Sequence, residues 1–341
     1  MTGPTFGRWA DPAWRAAIEA WVRAELEATG RSVTGPIEQP HSRPWSTTLR
    51  VPTDRGAVWA KASGAGTAHE GPLLQAFVEW HVPFVLAPLA VDPARRWLLL
   101  PDGGPTLRQT RPEDTGDQDL DAWERVIAEY ATLQRTVEPR AGELLRLGVP
   151  DGRPEVLPAT LARLVADDAI WARVDDTERD TAAAARDRLR GLGPWVERRA
   201  EVLAGSGIPV TIQHDDLHSN NVFVGPDGDR LFDWGDSVVA HPFGTLLGTL
   251  NSVAYHLGIQ PDAPELARLR DAYLEAWTDL LPRAALDDVV EAAIDLGRIG
   301  KAAAWDRALT GLETAEMDGH GDAPAAWLMD LDERLEGRGG R

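Results

Sequence analysis

Hydrophobic positions in residues 11–30 recur at three- and four-residue intervals. Trp14, Ile18, Trp21, Val22 and Leu26 therefore share one face of a predicted helix. Asp11 stands where an N-cap belongs, Pro12 suits the first helical position, and Gly30 closes the segment. The pattern then changes. S-V-T-G-P-I-E, W-S-T-T-L-R-V and A-V-W-A-K-A read as extended, and P-T-D-R-G between the last two predicts a hairpin turn. A helix is predicted over about residues 67–81. The apolar runs F-V-L-A-P-L-A-V and R-W-L-L-L complete a small antiparallel sheet with one inserted helix. P-D-G-G-P at 101–105 breaks the pattern. We place the boundary there, giving an N-terminal lobe over residues 1–102 and a larger, mainly helical C-terminal lobe over residues 103–341. In the second lobe, residues 210–232 form the one short β region. The expected fold class is α+β with two lobes.

Composition narrows the function. A chain of 341 residues exceeds a typical single domain, and 43% hydrophobic with 26% charged residues is ordinary for a soluble globular protein. Without cysteine there are no disulfides and no thiolate metal sites, which fits a reducing compartment. The N-terminus lacks a basic segment followed by an apolar one, and no apolar run is long enough to span a bilayer. A soluble, cytoplasmic protein with no membrane partner is expected. The net charge of −19 argues against nucleic acid and favours cationic ligands. Only two of the 35 basic residues are lysine, Lys61 and Lys301. Against so strong an arginine bias, a lysine points to a position needing a compact ammonium rather than a planar guanidinium.

Most of the chemistry-bearing side chains fall in V-T-I-Q-H-D-D-L-H-S-N-N at 210–221. His214 and His218 are spaced as in a zinc-binding helix, where i and i+4 imidazoles point the same way. Yet β-branched residues precede them and turn formers follow, and the one conceivable third ligand, His241, is distant in sequence. A second reading uses the following hairpin signature, V-F-V, G-P-D-G-D and R-L-F, which ends at Asp233. Asn221 and Asp233 lie symmetrically about Asp227, so symmetric pairing would set them opposite each other across the strands. Opposed residues on one face have Cβ atoms roughly 5 Å apart, close enough for two oxygen ligands to share one hard cation such as magnesium. Asp216, on the loop before the hairpin, is free to approach the same point.

H-D-D-L-H-S-N-N followed by L-F-D-W-G-D resembles H-G-D-L-H-x-x-N and I-D-W-x-D of the aminoglycoside phosphotransferase family, small-molecule kinases of the protein-kinase-like superfamily. The resemblance covers residues 30–310, leaving the first helix as an addition. It implies a protein-kinase-like two-lobed fold and an O-phosphotransferase that moves the γ-phosphate of ATP, or of GTP, to a hydroxyl of a small molecule such as an aminoglycoside or amino sugar. By the same resemblance, Asp216 orients the acceptor hydroxyl and accepts its proton, and Asn221 and Asp233 hold Mg²⁺ on the triphosphate. His214 is then structural. Lys61 is the strand lysine that meets the nucleotide phosphates, and Glu70 is its helix partner. Thr67-x-x-Glu70 also reads as a capping box. W-L-L-L-P-D-G-G corresponds to the hinge beside adenine. Two departures stand out: Asp215 occupies a position that is glycine in the family pattern, and the phosphate loop R-P-W-S-T-T-L has no glycine, so that Ser46 and Thr47 hydroxyls would serve in its place. Asp236 is either an aid to the metal or acceptor amine, or a plain surface carboxylate; His218, His241 and Phe243 read as packing residues. Two other classes stay open, a nucleotide-binding pseudokinase without transfer and a zinc hydrolase using His214 and His218.

Overall fold

The computed structural model describes residues 6–110, 117–225 and 228–339. Helix α1 (Pro12–Ala28) begins as its sequence requires: the Asp11 carboxylate accepts a hydrogen bond from the Ala13 amide at 2.9 Å, and Gly30 takes a left-handed turn at φ +67°. Ile18, Trp21, Val22 and Leu26 are buried on its inner face. They lie on a five-stranded antiparallel sheet made of β1 (Glu38–Ser42), β2 (Ser46–Thr53), β3 (Gly56–Ser63), β4 (Ala90–Asp92) and β5 (Trp97–Pro101), in the spatial order β1-β2-β3-β5-β4. Leu49, Val51, Val58, Ala60, Ala62 and Leu99 face α1 and form one compact core. The two-residue period of β3 turns Lys61 to the opposite face, toward helix α2 (Glu70–Glu79) and the second lobe.

Three elements differ from their predicted bounds. The first strand is Glu38–Ser42, whose E-Q-P-H-S carries no apolar alternation; of the predicted S-V-T-G-P-I-E segment, Val33 makes a lone bridge to Thr53. The run from Phe84 is irregular until β4. Helix α2 starts at Glu70, and Ala65–Thr67 is a separate tight turn, so Thr67 does not cap the helix. The cause is tertiary. A Cβ on Gly66 would lie 2.0 Å from the Arg307 carbonyl oxygen, so this turn packs backbone to backbone against the second lobe.

That lobe carries the main helices α3 (Asp117–Val137), α4 (Gly193–Gly205), α5 (Thr245–Leu257), α6 (Pro264–Glu275), α7 (Arg283–Ala308) and α8 (Ala323–Gly339). Its β segments are β6 (Asp151–Gly152), β7 (Thr211–Gln213), β8 (Val222–Phe223), β9 (Arg230–Leu231) and β10 (Val238–Ala240). β10 pairs antiparallel with β7 and parallel with β6, while β8 and β9 form the expected hairpin. A buried polar clamp fastens β7 to α3. Gln134 donates to the Ile212 carbonyl at 2.9 Å, and the Tyr130 hydroxyl accepts from the His214 amide at 2.8 Å. The second core runs through α3, α5, α6 and α7 and takes in Leu73, Leu74 and Phe77 of α2 with Leu98 and Leu100 of β5. Among the described residues no helix is long and apolar enough to cross a membrane.

Candidate active site

A cleft opens between the sheet and the helical lobe, lined by Lys61, Asp216, Asp233 and Lys301 among others. Lys61 Nζ lies 2.7 Å from the Glu70 carboxylate and 2.6 Å from Asp233 Oδ1. One ammonium thus ties a strand, a helix and the segment after β9 together. Burial alone would lower the Lys61 pKa, but Asp233 and Glu70 hold it above the ordinary lysine range, so the ammonium stays charged. Glu70 also accepts from the Ser63 hydroxyl at 3.3 Å.

Asn221 and Asp233 are not paired as their spacing suggested. The register sets Val222 against Leu231, and the Phe232 amide donates to the Asn221 carbonyl at 3.2 Å, so Asp233 lies one residue past the position opposite Asn221. Asp227, the supposed centre of symmetry, is outside the described residues. Asp233 reaches the cleft because its backbone turns left-handed, φ +65°. Its side chain is 46% exposed there. Asn221 turns its amide nitrogen to Asp216, 2.9 Å from the main-chain oxygen and 3.1 Å from Oδ2, and its carbonyl oxygen is what it can offer a cation. An amide oxygen and a half-exposed carboxylate suit a hard divalent ion whose remaining ligands come from phosphates and water.

The loop carrying Asp216 is fixed from below by His214. Its Nε2 lies 2.9 Å from the Phe232 carbonyl, its Nδ1 accepts from the Asp216 amide at 3.3 Å, and its ring rests on Trp234 at 4.6 Å. Burial lowers its pKa, so the imidazole is neutral. With both nitrogens committed, His214 has none for zinc. Residues 214–221 are also not helical, and among the described residues no three His, Cys, Asp or Glu side chains gather as a metal site. His218, expected to be packing, instead sits 3.3 Å from Asp216 Oδ2. Burial would raise the Asp216 pKa, but the His218 hydrogen bond and the Lys301 charge hold it well below the usual carboxylate range; in return Asp216 raises that of His218 against burial.

Ser46 lines the cleft, whereas Thr47 is fully buried, accepting from Gln39 at 2.9 Å and donating to the His41 carbonyl at 2.8 Å, so its hydroxyl is already engaged. The alternation of β2 makes this inevitable for one of two neighbours. Beside Ser46, Trp45 meets Trp305 of α7 edge-on at 5.3 Å, both lining the cleft, and His320 packs against Trp45 at 5.2 Å. Asp236 is half-buried in the cleft; burial, then the Asp216 charge, pushes its pKa up to about 7. Sequence reasoning noticed Lys301 by its rarity but gave it no place. It stands in the same cleft, 3.5 Å from Asp215 Oδ1.

A strand lysine paired with a helix glutamate, an Asp–Asn loop and a following aspartate, set between two lobes, make a kinase-like layout. The chain belongs to the phosphotransferase enzyme family, whose model matches residues 45–287. No curated protein matches it in sequence. Among solved structures it is similar to a choline kinase from Cryptosporidium parvum (14% identity, TM-score 0.60, covering 95% of this chain and 97% of that one). It is similar also to a macrolide 2'-phosphotransferase type I (16%, 0.54, 92% and 97%) and to the GDP and kanamycin complex of APH(2")-IIia (12%, 0.54, 93% and 99%). At these identities the likeness shows a shared protein-kinase-like fold.

Proposed function

We propose that the protein transfers the γ-phosphate of ATP to a hydroxyl of a small molecule, with Lys61, Asp216, Asn221 and Asp233 as its working residues. The observation that carries this reading is Lys61 bonded at once to Glu70 and Asp233. The arrangement holds a cation at fixed depth in the cleft beside the carboxylate and amide that would hold Mg²⁺. Magnesium, bound by Asn221 and Asp233, would neutralise charge on the triphosphate. Lys61 supplies a second, permanent positive charge for the phosphates, placed in advance so that no reorganisation is needed during transfer. Asp216, ionised at neutral pH, accepts a hydrogen bond from the acceptor hydroxyl and aims its oxygen; as the new O–P bond forms, the bond from the γ-phosphorus to the β,γ-bridging oxygen breaks, ADP leaves, and the hydroxyl proton passes to the carboxylate. Such a strongly acidic carboxylate orients well and removes protons poorly, which suits a transition state with little bond formation.

The proposed acceptor side of the cleft carries Asp216 and Asp236 with the indoles of Trp45 and Trp305. Carboxylates and aromatic faces together favour a cationic acceptor, an amino sugar or other hydroxylated amine. The kanamycin and choline kinase relatives agree with such chemistry. The GDP complex makes GTP the nucleotide to compare with ATP. Calorimetric titration of MgATP and MgGTP into wild type and Asp233→Ala is the test. Saturable binding that the variant weakens at least tenfold is expected; absence of binding by either nucleotide at millimolar concentration would remove the reading. Binding without phosphoryl transfer to any of a panel of amino sugars and amino alcohols would favour the pseudokinase class.

A further inference from the structure

We infer that Lys301 is a positioning residue for Asp216, and that Asp215 and Lys301 together do what a glycine would do in the turn before it. The inference rests on the reading of Asp216 as the acceptor-orienting carboxylate. Asp215 has φ +62°, the left-handed region in which a side chain is strained and glycine is favoured. Two contacts hold it there. Gln213 Nε2 donates to Asp215 Oδ1 at 2.8 Å, and the Lys301 ammonium donates to the Asp215 main-chain carbonyl. The carbonyl contact bears on the peptide that leads directly into Asp216, so it fixes the direction in which Asp216 leaves the turn.

The same ammonium answers a second difficulty. Asp215 is buried and next in sequence to Asp216, and a buried carboxylate without a counter-charge is costly. Lys301 Nζ, 3.5 Å from Asp215 Oδ1, is that counter-charge. It reaches the turn from α7 across Gly248 of α5, where a Cβ would lie 3.4 Å from Lys301 Cε. The route is narrow, which accounts for a lysine in an otherwise arginine-based chain: both lysines of the protein end in this one cleft. Lys301 also lies beyond residue 287, where the family match ends, while Asp215 lies within it. The pair therefore joins the matched segment to the C-terminal helices of this chain.

The test is a double-mutant cycle of Lys301→Met and Asp215→Gly, read two ways. In urea unfolding at neutral pH, Lys301→Met should be costly alone and clearly less costly in the Asp215→Gly background, where the charge of Asp216 remains; equal costs in the two backgrounds would overturn the pairing. In turnover of MgATP with water as acceptor, Lys301→Met should lower kcat about tenfold or more with KM for MgATP unchanged, and the double variant should recover to within about threefold. A raised KM with unchanged kcat, or a double variant as slow as Lys301→Met, would overturn the positioning role. Lys301→Arg should not restore the rate; full restoration would count against it. If Lys301→Met does not fold, folding of the double variant supports the pair and its failure sinks it. MgADP calorimetry on wild type judges the kinase reading separately. Should that reading fail, the unfolding cycle still decides whether Asp215 and Lys301 are matched.

Discussion

Lys61 and Glu70 form a buried ion pair, and the half-exposed Asp233 meets the same ammonium from the cleft. Removing the ammonium by Lys61→Met leaves Glu70 and Asp233 facing each other without compensation. Breaking such a pair from one side costs about 3–5 kcal/mol, so the variant should show both a lowered urea midpoint and loss of phosphoryl transfer. Glu70→Gln should be milder in stability, since it removes one of two negative charges around one positive. Asp236 gives a pH signature of the opposite kind. Its folded pKa, about 7, is above that of an unfolded aspartate, so between roughly pH 4 and 7 the folded state binds the extra proton. Stability from this group is greatest at the acidic end and falls as pH rises through the folded value. Asp236→Asn should flatten that fall, seen as a smaller drop in urea midpoint between pH 5 and pH 7.5 than wild type shows. The pairing of Lys61 with Glu70 was implied by the family resemblance, because both stand in short runs that match it, and the two side chains do meet. Lys301 could not be read in this way: its partner is Asp215, far along the chain, and only its rarity marked it.

The elements were legible where their own residues determine them. Helix α1 has a cap, a proline start and a closing glycine, and β2 and β3 alternate cleanly on either side of a turn. They were misread where another part of the molecule decides. The turn Ala65–Thr67 is held by the backbone of α7 rather than by a Thr67 cap, and Thr67 Oγ1 has no hydrogen-bond partner. Asp233 enters the cleft through a left-handed turn that no hairpin symmetry foretells. The turn between β1 and β2 is the most exposed of these dependencies. Trp45 at its tip rests on Trp305 and His320, and an aromatic pair of this kind adds about 0.5–1.5 kcal/mol beyond the area it covers. Trp45→Ala should therefore speed hydrogen exchange in residues 43–47 and raise KM for the acceptor, with the exchange of α1 unchanged.

The charge of the whole molecule bears on the proposed acceptor. If the acceptor is a cation, a net charge of −19 should steer it toward the cleft, and kcat/KM should fall as salt rises, most steeply for the most highly charged acceptor. An uncharged acceptor should show no such slope, which makes the salt series a direct reading of acceptor charge. The two cores have a different consequence. Leu73, Leu74 and Phe77 of α2, with Leu98 and Leu100 of β5, are shared with the helical lobe, while α1 and the outer face of the sheet form a separate cluster. A chain severed near residue 102 would be cut through a common interior rather than at a tether. Neither fragment should refold by itself, mixing the two should restore the fold only when both are present, and the intact chain should melt as one body even though it looks, in outline, like two.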